Sequence, residues 1–137
     1  MAIEAYSLAK DGEKKLSLNF KVKEFACKDG SNAIFVDDEL VRVLQDIRDH
    51  FNRPVTITSA YRTVSHNKKV GGSPKSQHLY GTAADIQVKD TPPEFVAQYV
   101  ETLLAGRGGI GTYPKKAGRA HGWVHIDVRK NKSRWVL

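Results

Sequence analysis

His78, Asp85 and His125 are the residues of this chain whose types best suit metal chemistry. Two imidazoles and one carboxylate form a familiar donor set for a catalytic zinc, which keeps its fourth position for water. His78 and Asp85 are near enough in sequence for a loop and the strand after it to aim both at one ion, with Gly81 giving the chain room to turn. His125 stands forty residues beyond Asp85, so only the fold can bring it near. With 5 histidines in 137 residues, ordinary polar surface is the competing reading of the same three side chains. Cys27 is the only cysteine, which excludes an intramolecular disulfide and any zinc site of several thiolates. A metal here must be held by imidazole and carboxylate.

The elements that have to position these residues follow from hydropathy pattern. Residues 1–19 are polar and weakly patterned and read as an arm or one short strand ahead of Phe20, Val22 and Phe25, where the domain of residues 20–137 begins. From Val36 to Phe51, apolar residues recur at three- and four-residue intervals (Leu40, Val41, Leu44, Ile47, Phe51), an amphipathic helix with acidic Asp37 and Asp38 at its positive end. Pro54 ends that helix, and the β-branched run Val55–Thr58 reads as a strand. Residues 59–80 lack apolar periodicity but hold Tyr61, Arg62, His66, His78 and Tyr80, which marks a functional segment. A second strand spans Ala83–Val88. Thr91 and Pro92, with Glu94 after them, open a helix whose apolar face includes Phe95, Val96, Tyr99, Val100, Leu103 and Leu104. Glycines around Ile110 lead into a short strand ending near Tyr113, a last strand runs from Trp123 to Val128, and Trp135 folds back as a late anchor.

The length of 137 residues fits one domain, and 40% hydrophobic with 27% charged residues describes a folded globular chain. No stretch approaches the roughly 20 apolar residues that span a bilayer, and the first residues lack the apolar core of a secretion signal. The expectation is therefore synthesis in a cytosol without membrane insertion. A net charge of +7 favours polyanionic surroundings, whether nucleic acid, membrane surface or an acidic wall polymer.

The segment Ser76-Gln77-His78-Leu79-Tyr80-Gly81-Thr82-Ala83-Ala84-Asp85 resembles the Ser-x-His-x-x-Gly-x-Ala-x-Asp signature of peptidase family M15, the zinc D-Ala-D-Ala carboxypeptidases and related endolysins. Ile57-Thr58-Ser59-Ala60-Tyr61-Arg62 resembles the family's strand ending in arginine, and Val124-His125-Ile126-Asp127 its second metal-binding strand. Phe25-x-Cys27 and Gly109-Ile110-Gly111-x-Tyr113 resemble its small branch, so the likeness runs from about Phe20 to Arg129. It implies an α+β fold of the Hedgehog and D-Ala-D-Ala peptidase kind, a single small domain whose central antiparallel sheet carries one zinc and has helices packed on it. It implies further that His78, Asp85 and His125 bind that zinc and that Arg62 sits in the substrate cleft, pairing with a carboxylate or polarising the scissile carbonyl. Ser76, Gln77 and Tyr113 would face substrate, with Asp127 and His66 behind the ligands. Better-known members place Asp or Glu three residues before the last zinc histidine, where this chain has Gly122, and His121 is the candidate substitute base, with a surface histidine beside a turn as the alternative.

The activity implied is hydrolysis of peptidoglycan peptides containing D-amino acids, as a carboxypeptidase or an endopeptidase. Action on the wall after host lysis, or after release through a holin-type partner, and a monomeric state go with that reading, and anionic wall polymers suit the charge. Two alternatives stand beside it. One is a non-catalytic zinc-binding murein-binding or structural phage protein of the same fold. The other is a basic nucleic-acid-binding protein, for which the tail Arg129–Arg134 speaks, although no zinc-finger spacing or recognition-helix charge stripe accompanies it. No specific nucleic acid is therefore expected as a partner.

Overall fold

The computed structural model describes residues 2–137. Ile3–Ser7 form β1, Leu8–Asp11 one helical turn, α1, Lys15–Ser17 form β2, and Phe20–Lys21 pair with them as β3. A 3-10 turn at Val22–Phe25 leads on to β4, Ala33–Asp37, which pairs antiparallel with β1. The segment expected as an arm or one short strand thus carries two strands and a helical turn. Its sequence hid them because β1 is held by backbone pairing while Ile3, Glu4 and Ala5 stay exposed, leaving no apolar alternation.

Helix α2 spans Asp38–Phe51 and starts two residues later than the sequence pattern puts it. Val36 and Asp37 belong to β4, and the Asp37 carboxylate caps the helix by accepting from the Glu39 N–H at 2.8 Å. The apolar stripe of α2 delivers Leu40, Leu44 and Ile47, all fully buried, into one core with Phe20, Val22 and Phe25. Each such side chain contributes roughly 1.5–3 kcal/mol by leaving water.

The remaining strands form a five-stranded sheet in the order β5-β6-β8-β7-β9: β5 is Val55–Ser59, β6 Ala83–Val88, β7 Gly109–Tyr113, β8 Trp123–Asp127 and β9 Ser133–Val136. It is antiparallel except for its last pair, β7 with β9, which runs parallel. Strand alternation divides its residues between two faces. Ala84, Ile86, Val88, Ile110, Val124 and Ile126 join the core beneath α2 and α4, the latter spanning Pro93–Leu104. Asp85 and Gln87 on β6, and Trp123, His125 and Asp127 on β8, point the other way. Pro92 occupies the cap position of α4, and Thr91 instead bonds the Lys89 carbonyl, so the helix begins one turn position later than Thr91-Pro92 implied.

Between β5 and β6, residues 60–82 hold α3, Val64–Lys69, and a second 3-10 turn, Gln77–Tyr80. Only Asn67 of α3 is buried, so the helix shows no apolar stripe in the sequence.

Candidate metal centre

Register places the first two site residues face to face: Asp85 on β6 is the ladder partner of His125 on β8. A bulge in β5 between Ile57 and Ser59 sets Ser59 opposite Asp85, and the turn Gln77–Tyr80 then delivers His78 from above the strand. One ligand atom from each of His78, Asp85 and His125 lies within 4.8 Å of the others, and all three residues are buried. His125 Nδ1 is 3.0 Å and His78 Nε2 3.3 Å from the same oxygen, Asp85 Oδ1.

The outer nitrogen of each imidazole is already engaged. His78 Nδ1 meets the Ala60 carbonyl at 2.6 Å, and His125 Nε2 meets Asp127 Oδ2 at 2.8 Å. A carbonyl can only accept, so the hydrogen is on Nδ1 of His78, and the carboxylate likewise draws the hydrogen of His125 to Nε2. With both rings neutral, both inward nitrogens present lone pairs toward a carboxylate oxygen. Three acceptors aimed at one point repel unless a cation lies among them, and buried imidazole and carboxylate are the donors zinc takes. The residues therefore fit the metal.

In the metal-free chain a proton on His125 can take the cation's place. Burial alone would raise the Asp85 carboxyl, but hydrogen bonds and charge from His125 and His78 outweigh it and hold it well below the usual carboxylate range. Burial likewise opposes a charged His125, yet Asp127 and Asp85 prevail and leave it more basic than an ordinary imidazole. Asp127, with 0% of its surface exposed, is pushed up by burial and brought well down by His125 and Arg129. The Arg129 guanidinium clamps it with Nε at 2.7 Å and Nη2 at 2.6 Å. The opposing strand makes room for that carboxylate, since a Cβ on Gly109 would stand 2.1 Å from Asp127 Oδ2.

Arg62 lies beside the group, but its three guanidinium nitrogens already have partners. Nη2 reaches Asp85 Oδ2 at 3.4 Å, Nε the Ser59 hydroxyl at 3.0 Å and Nη1 Asn67 Oδ1 at 3.2 Å. Arg62 thus fixes the carboxylate oxygen that faces away from the histidines. Asn67 in turn donates to the Ser73 carbonyl at 2.9 Å and ties the loop to the site. Ser59 and Asn67 were missed by sequence reasoning; Asn67 is flanked by His66, whose imidazole drew the attention.

His66 lines a depression with Lys28, Asp29, Ser65 and Lys69. Ser76 caps the turn that carries His78, its hydroxyl accepting from the His78 N–H at 3.2 Å. The Gln77 side-chain oxygen accepts from Thr82 at 2.9 Å, so it too secures the loop. Tyr113 stacks on Trp123 with ring centroids 4.6 Å apart.

His121 is not brought into the group. It is exposed, precedes β8, and lines a neighbouring cavity of about 650 Å³ with Gln87, Lys115 and Trp123. Gly122 is closed to any side chain: a Cβ there would stand 2.4 Å from the Tyr113 carbonyl oxygen and 2.7 Å from Pro93. A carboxylate at this position is sterically excluded.

Residues 18–127 match the model of a family described as Peptidase M15. A 35-residue stretch, 26% of this chain, is 43% identical to the zinc D-Ala-D-Ala carboxypeptidase of Streptomyces albus G and spans 14% of that protein's length.

Proposed function

The chain belongs to the peptidase M15 family, and on that premise we propose that it is a zinc-dependent hydrolase of bacterial peptidoglycan peptides containing D-amino acids. The observation that carries the reading is the convergence of His78 Nε2, Asp85 Oδ1 and His125 Nδ1, each backed by a fixed partner. His78, Asp85 and His125 would hold the zinc, which when bound would supply Lewis acidity and an activated water. The chain's own residues supply the rest. Ala60 and Asp127 hold the imidazoles in the tautomers that leave their lone pairs inward, Arg62 orients Asp85, and Tyr113 with Trp123 forms a flat wall for the peptide. His121 lines a cavity with Gln87 and Trp123, which lie on the sheet face that carries the ligands, and on this reading it contacts bound substrate.

On this reading the chain works on the wall after lysis or partner-dependent release, like an endolysin, and its charge of +7 concentrates it near anionic wall polymers. No described helix is long and apolar enough to cross a membrane. One observation favours a second reading: the closed Gly122 position lacks the carboxylate of better-known members, which suits a non-catalytic zinc-binding murein binder. Digestion of purified peptidoglycan with and without chelator and added zinc separates the two. Chelator-sensitive release of D-Ala or stem peptide, read by mass spectrometry and lost in His125→Ala, supports the hydrolase. Stoichiometric zinc without release supports the binder.

A further inference from the structure

We propose that Tyr113 is a catalytic hydrogen-bond donor to the carbonyl oxygen of the scissile bond, held in position by Trp135 from β9; this rests on the hydrolase reading above. The placement comes from register. Gly111 on β7 is the ladder partner of His125, and Tyr113, one alternate position further on the same face, is the partner of Trp123. Stacking on Trp123 fixes the plane of the Tyr113 ring. Parallel pairing sets Trp135 beside Gly111, and its indole fills the space a side chain there would take: a Cβ on Gly111 would stand 2.4 Å from Trp135 Nε1. The indole therefore reaches across the strand to His125, with ring centroids 5.0 Å apart, and its Nε1 donates to the Tyr113 hydroxyl at 2.9 Å.

That hydrogen bond decides the phenol's own direction. An indole N–H can only donate, so the Tyr113 oxygen accepts from it and must send its hydrogen elsewhere. Among the described residues no acceptor takes that hydrogen. The result is a fixed, unspent donor one residue pair from a metal ligand, on the face of the sheet that carries the metal group. Arg62, the other donor at the site, uses three of its five N–H groups on Ser59, Asn67 and Asp85, which turns its guanidinium toward the ligand carboxylate. When water adds to the amide carbon, negative charge grows on the carbonyl oxygen, and a preorganised donor stabilises that state more than the planar substrate. The phenol keeps its proton throughout; it donates a hydrogen bond and transfers nothing.

The test uses zinc-loaded full-length protein and a tetrahedral probe, the phosphinate analogue of D-alanyl-D-alanine, titrated by calorimetry beside peptidoglycan turnover. Tyr113→Phe, which retains the stacked ring, is expected to bind zinc as wild type does, to bind the phosphinate at least about tenfold more weakly, and to lose roughly 100-fold in kcat with KM within about threefold. Trp135→Phe, which removes the N–H that orients the phenol together with part of the ring that packs over Gly111, is expected to show the same pattern at a smaller scale. Equal phosphinate affinity in wild type and Tyr113→Phe overturns the inference alone. A wild type that loads zinc but neither binds the phosphinate nor releases product overturns the hydrolase reading and this inference together.

Discussion

The two sides of the metal group are built by different means. On the sheet side, Asp85, His125 and Asp127 are set by the ladder between β6 and β8, so backbone pairing along whole strands fixes their spacing. On the loop side, His78 and Arg62 are held by single contacts, through the Ala60 carbonyl, the Ser76 cap, Ser59 and Asn67. A strand distributes the constraint over many bonds, whereas the loop concentrates it in a few side chains. A single substitution on the loop side therefore breaks a larger share of the contacts there than one on the sheet side does.

Substitutions on each side test that contrast. The largest effect is expected for His125→Ala, which removes a ligand from the rigid side; zinc affinity measured by competition with a chromogenic chelator should fall at least roughly 100-fold and turnover should vanish. Asp127→Asn keeps the fold but weakens the grip on His125 Nε2, and a loss of about 10- to 100-fold in zinc affinity is expected by the same titration. Asn67→Ala breaks the loop side at one point. It should cost about 1–3 kcal/mol in urea unfolding through the orphaned Arg62 and Ser73 groups, with zinc affinity changed less than in Asp127→Asn. If Asn67→Ala proves as damaging to the metal as Asp127→Asn, the contrast between the two sides fails.

Acidity offers a finer probe. In the metal-free chain His125 is more basic than in the unfolded chain, so its contribution is full below the ordinary imidazole value and is lost as pH rises through its raised value. Asp85 and Asp127 are depressed, so theirs is present above the ordinary carboxylate value and is lost as pH falls toward their folded values. Metal-free stability should thus peak under mildly acidic conditions. Zinc requires an unprotonated His125, so the rise in Tm on adding zinc should grow with pH; a rise independent of pH in calorimetric scans would contradict this. The smallest effect is expected for His121→Ala, a few-fold increase in KM with kcat nearly unchanged, measured on a soluble stem peptide.

The ligands were legible through the resemblance of their motifs to the M15 signature, and for Asp85 and His125 strand alternation agrees: Ala84, Ile86, Val124 and Ile126 face the core, which leaves those two to the opposite face, while His78 lies on a turn that has no such pattern. The helices α2 and α4 were legible through their apolar stripes. What escaped reading shares a physical cause. Helix α3 buries only Asn67, β1 is paired through its backbone with exposed side chains, and β9 runs parallel to a strand more than twenty residues earlier. None of these leaves a periodic trace. His121 and His66 stand out by residue type, whereas Asn67 is conspicuous only once the chain is folded, and Trp135, readable as a late anchor, shows its contact with His125 only there.

The parallel docking of β9 beside β7 has a consequence for local opening. β9 is an edge strand of the five-stranded sheet, paired only with β7, so the strand that carries Trp135 can fray while the ladder between β6 and β8 that holds Asp85 and His125 stays paired. On the proposed reading, a chain opened in this way would keep its metal and lose the contact that orients Tyr113.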